Sequence, residues 1–84
     1  MGYHDRSIPK GTVGETSKIK EELYELLDME EQRPKNKLGM LIELSDMVGA
    51  IKAFLARHHP TLSLADLEAM ADRTASAFRE GSRS

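Results

Sequence analysis

The sequence predicts an all-α fold: a three-helix chain forming a helical bundle completed by homo-oligomerisation. Three observations predict it. Apolar residues recur at helical spacing in three successive stretches, with no strand-like alternation between them. Capping residues and helix breakers punctuate the joins. The chain has 84 residues, room for one domain but too few to bury a large core without a partner subunit.

The elements follow in order. Residues 1–11 mix polar groups with Pro9 and show no period, so they read as an N-terminal arm, flexible or docked on the body. Residues 12–81 form the helical domain. Thr12 and Glu15 match a capping box, after which Ile19, Leu23, Leu26 and Leu27 keep a helical period until Pro34 closes the helix. Asn36 is a good N-cap for a second helix, whose run from Leu38 to Ala56 is almost uninterrupted by charge and is expected to be the most buried. A third helix is expected from Ser63, with Asp66 completing its cap and Leu62 stapling onto Leu67. Leu64, Leu67, Ala71, Thr74 and Phe78 give it a narrow apolar seam, and Gly81 ends it before the polar tail of residues 82–84.

Composition narrows the functional classes. A formal net charge of -2 argues against direct nucleic-acid binding, which ordinarily needs a basic surface. Cysteine is absent, so a metal would have to be held by oxygen or imidazole. No apolar run has the length of a membrane span and the N-terminus lacks a secretory signal, so a cytoplasmic location is expected.

The acids are unevenly placed. Seven of the 14 Asp and Glu residues fall between Glu15 and Glu31, which makes the first helix the place to look for a site. With residues about 100° apart around that helix, Glu22 falls within the apolar arc formed by Ile19, Leu23, Leu26, Leu27 and Met29. Glu25 lies at the border of the arc, and Glu21 about 100° from Glu22 toward solvent. Glu43 and Asp46 repeat the three-residue spacing in the second helix, where Lys52 is the only other charge between Leu38 and Ala56. A carboxylate among Met40, Met47, Ala50 and Phe54 loses hydration and needs compensation. Two E-x-x-[ED] pairs on adjacent helices suit a divalent hard cation, which prefers oxygen ligands and leaves positions for water and phosphate oxygens. Taken singly, the first-helix acids would be an ordinary solvated face and the second pair a satisfied polar pair inside a bundle.

Lys18-Ile19-Lys20-Glu21-Glu22-Leu23-Tyr24-Glu25 with Glu43-Leu44-Ser45-Asp46 resembles the E-E-x-x-E and E-x-x-D signature of MazG-like all-α nucleotide pyrophosphohydrolases. From Gly11 to Gly81 the pattern is also similar to small MazG-related proteins of bacteriophages and prophages. The resemblance implies hydrolysis of a nucleoside or deoxynucleoside triphosphate to the monophosphate and pyrophosphate. It makes Glu22, Glu25, Glu43 and Asp46 ligands of Mg²⁺, with Mn²⁺ as a substitute. Glu21 would stand behind them or act as base for the attacking water, so Glu21 and Glu22 carry the catalytic assignment. A homodimer or homotetramer would complete the site. The alternative is a non-catalytic MazG-like module that binds a nucleotide or a protein.

The remaining candidates have plainer readings. Lys18, Lys20, Lys35, Lys37 and Lys52 have the charge to contact phosphates, but lysines on helix faces are usually solvated. Tyr24, Tyr3 and His4 have the chemistry to stack on a base, although Tyr24 reads first as a packing residue. His58 and His59 stand where they offset the dipole at the end of the second helix and lack partners at metal-ligand spacing. The Gly11-Thr12-Val13-Gly14 segment lacks the P-loop pattern and reads as a turn. Met29, Met40, Met47 and Met70 are core filler.

Overall fold

In the computed structural model, residues 8–32 and 34–79 are described, and they form three helices with no strand among them. Helix α1 spans Thr16–Glu31, α2 spans Lys37–His58 and α3 spans Leu64–Arg79. The expected arrangement of three helices on short joins is therefore present. Tyr3, His4 and Gly81 lie outside the described residues.

Local chemistry explains two of the three helix starts as expected. The Asn36 side chain accepts the Gly39 N–H at 2.8 Å and caps α2. Ahead of α3, Asp66 accepts the Ser63 N–H at 2.7 Å, and Ser63 Oγ receives the Asp66 N–H at 3.4 Å, the reciprocal geometry of a capping box. The first start differs. Thr12 and Glu15 form a turn, with the Glu15 N–H donating to the Thr12 carbonyl at 2.9 Å, and Glu15 caps α1 without a side-chain bond. Its carboxylate is instead drawn to the far end of α2, where Arg57 Nε lies at 2.8 Å and His58 Nε2 at 3.4 Å. Gly14 makes this possible, since its φ of 92° is a region that side-chain-bearing residues rarely enter.

Helices α1 and α2 form the packed body of the molecule, whereas α3 leans on α2 alone. Ala50 and Leu55, both on α2, are the fully buried apolar residues. Two expectations about burial are overturned. Helix α2 is covered only in part: Leu38, Leu41, Ile42, Leu44 and Val48 remain exposed. Helix α3 has no fully buried residue between Leu64 and Ser76, with Leu64, Leu67 and Thr74 half-buried and Ala71 exposed, and the side chain of Phe78 lies outside those described. A single copy of this chain thus leaves much of its apolar surface in water.

The face that α1 turns inward is unexpected in part: Glu22 is buried, as its place in the apolar arc implied, but Leu23 and Glu21 are reversed. Leu23 is exposed, while Glu21, Glu22 and Asp28 are buried. Counting about 100° per residue, Glu21, Glu25 and Asp28 form a stripe that borders the apolar arc on the side of Glu22. It is this stripe that α2 and the arm cover.

Candidate metal centre

The acidic stripe of α1 meets α2 at Glu43 and Asp46. Carboxylate oxygens of Glu22, Glu43 and Asp46 all lie within 4.8 Å of one another, the one such ligand group among the described residues. Glu22 is buried, Glu43 half-buried and Asp46 exposed, so the group opens from the α1–α2 seam toward solvent. Glu25 is half-buried and stands outside that group of three, yet close enough to act on it.

Electrostatics identify the strained member. Glu43 is held above the ordinary carboxylate pKa, first by burial and then by the negative charges of Glu25, Asp46, Glu22 and Asp28. Four carboxylates thus raise the cost of ionising a fifth. Oxygen donors at this density fit a hard divalent cation, which would turn mutual repulsion into shared ligation.

Asp28 is the acid near the carboxylate group that the sequence reading did not single out. It is 1% exposed and adds to the charge acting on Glu43. Its signal was the spacing Glu22, Glu25, Asp28, a repeat of three along one helix face.

Glu21 occupies a different place from the solvent-facing one expected of it. Only 5% exposed, it accepts the Gly11 N–H at 2.7 Å through Oε1, and its Oε2 faces Lys18 Nζ at 3.2 Å and Lys10 Nζ at 3.8 Å. The Gly11 hydrogen bond is the main cause that holds its carboxyl below the ordinary range. Gly11 must be glycine for this approach, because a Cβ there would overlap the Ser17 carbonyl. The end of the arm is therefore docked on α1 by a buried carboxylate.

Glu22 likewise has a partner on its own helix. Lys18 Nζ lies 3.1 Å from Glu22 Oε2, so a positive charge one turn earlier in α1 meets this buried carboxylate. The other lysines are placed differently: Lys20 lies over the Tyr24 ring at 5.7 Å, and Lys35, Lys37 and Lys52 are exposed. His58 faces Glu15 and packs its ring 4.5 Å from that of Phe54, and neither His58 nor His59 joins the carboxylate group.

No family model, curated protein or solved structure matches this chain. No helix among the described residues is long and apolar enough to cross a membrane.

Proposed function

We propose that this chain is a MazG-like, Mg²⁺-dependent nucleotide pyrophosphohydrolase that works as a homo-oligomer. The observation that carries the reading is the convergence of Glu22 from α1 with Glu43 and Asp46 from α2, two stretches whose spacing resembles that family's signature. In this reading Glu22, Glu43 and Asp46 hold the ion, and Glu25, one turn along α1 from Glu22, completes the set. A bound Mg²⁺ supplies charge neutralisation for a triphosphate and a more acidic water for attack on phosphorus. The chain's own contribution is to hold its carboxylates converging on the rim of a helical seam, where a phosphate chain would have access. Glu21 supports the fold of the site through Gly11 and Lys18.

The homo-oligomer is supported by the uncovered side of α2. Leu38, Leu41, Ile42, Leu44 and Val48 are all exposed there, and aliphatic side chains gathered in one exposed region suit a contact surface. A second copy would cover it and supply walls that one short chain lacks.

Incubating the purified protein with a panel of nucleoside and deoxynucleoside triphosphates and Mg²⁺ or Mn²⁺ tests the reading. Pyrophosphate release is expected from at least one substrate, lost in Glu43→Gln and Asp46→Asn. No release with any substrate, or full activity in both variants, would sink it.

The engagement of Glu21 favours a second reading, a MazG-like module that binds nucleotide without turnover. A base for the attacking water needs a free lone pair, and Glu21 spends its oxygens on Gly11, Lys10 and Lys18. Calorimetric binding of a triphosphate with Mg²⁺, without pyrophosphate release, would select this reading.

A further inference from the structure

We infer that Lys18 is a built-in competitor for the divalent ion: its ammonium and the metal draw on the same Glu22 carboxylate, so Lys18 sets how tightly the centre holds its ion. The inference rests on the reading of Glu22, Glu43 and Asp46 as a metal centre.

The geometry gives Lys18 two seats. Its Nζ lies 3.1 Å from Glu22 Oε2 and 3.2 Å from Glu21 Oε2. Glu22 belongs to the converging group, and Glu21 does not. A divalent ion taken up by Glu22, Glu43 and Asp46 would sit beside an ammonium bound to one of its own ligands, and like charges at such range repel strongly in a partly buried site. Glu21 resolves the conflict. It is buried, anchored by the Gly11 N–H, and already within reach, so the ammonium can shift its weight to Glu21 without entering water.

Lys18 is suited to the part by burial as well as position. Its side chain is about three-quarters covered, so the pair is poorly screened by salt. Both glutamates hold its ammonium charged, with Glu22 the larger influence. Without that cation, Glu22 would be a buried carboxylate in a crowd of others. Lys18 therefore stabilises the same arrangement that it makes harder for a metal to enter.

Mn²⁺ titration of the full chain, followed by electron paramagnetic resonance of the free ion, tests this. Lys18→Gln is expected to bind Mn²⁺ about tenfold more tightly than the unaltered chain, since one opposing charge is removed from the ligand set. Lys20→Gln removes the same charge from the same helix without touching Glu22, and is expected to stay within about twofold. Lys18→Arg keeps the charge and is expected to keep the weaker binding. A gain in Lys18→Gln no larger than in Lys20→Gln overturns the inference and leaves the metal centre standing. Absence of Mn²⁺ binding in every variant overturns the metal centre and the inference together. If Lys18→Gln is unfolded by circular dichroism without metal, refolding on addition of Mn²⁺ supports the competition, and failure to refold overturns it.

Discussion

Gly11 donates its backbone N–H to Glu21 Oε1 at 2.7 Å, across ten residues of sequence, and so ties the end of the arm to the first helix. Glu21→Ala leaves that N–H and the Lys18 ammonium without their shared acceptor. The expected cost is about 1.5–3 kcal/mol, the range for a charged hydrogen bond. Urea denaturation measures it, and amide exchange at Gly11 should accelerate at the same time. The pH dependence has a definite sign. Glu21 has a depressed carboxyl pKa in the folded chain, so its stabilisation is complete above the ordinary value of 4.5 and is lost as pH falls through the lower folded value.

Glu43 behaves in the opposite sense. Its folded pKa is raised, so ionisation opposes folding, and this group's contribution to stability improves as pH falls through the raised value toward 4.5. Glu43→Gln should therefore raise the melting temperature at pH 7 without metal by a few degrees, the scale that about 1 kcal/mol gives in a domain of this size. Added Mn²⁺ should raise the melting temperature of the unaltered chain and leave that of Glu43→Gln unchanged. A variant less stable than the parent at pH 7 would contradict the repulsion among these carboxylates.

Gly14→Ala tests the turn that brings Glu15 to Arg57. At φ 92° a side chain is strained, and its Cβ would stand 3.1 Å from Arg57 Cδ. A loss of about 1–2 kcal/mol is expected. A double-mutant cycle with Arg57→Ala should show coupling, because the turn and the ion pair form one unit.

Leu41→Glu and Val48→Glu place a charge in the uncovered face of α2. Light scattering coupled to size-exclusion chromatography should show the parent chain as an oligomer and both variants shifted toward monomer. A monomeric parent at all accessible concentrations would remove the basis for the homo-oligomer.

The helix order and two caps were legible because Asn36 and the Ser63–Asp66 pair act over three residues, a distance that sequence displays directly. The pairing of Glu22 with Asp46 and Glu43 was legible for a related reason: a repeat of three places groups on one stripe of a helix. Which stripe is covered was not. On α1 the apolar arc suggested that Leu23 faces inward and Glu21 outward, yet Leu23 is exposed and Glu21 and Asp28 are buried beside Glu22; Lys18 meets the charges of Glu21 and Glu22, and the arm's backbone also meets Glu21. The Gly11 share of that compensation comes across a turn, and no periodicity reports it. The exposed aliphatic side of α2 was hidden by the opposite effect, since a helix apolar nearly all round shows no preferred face.

The converging carboxylates sit on two helices joined directly through residues 32–36, and α3 contributes none of them. Helical chains whose contacts are this local fold on the microsecond to millisecond scale. Docking α1 on α2 brings the acids together in the same step that forms the packed body. The folding rate of this hairpin should consequently respond to divalent cations, and the unfolding rate much less, a division of kinetic effects that stopped-flow refolding with and without Mn²⁺ would resolve.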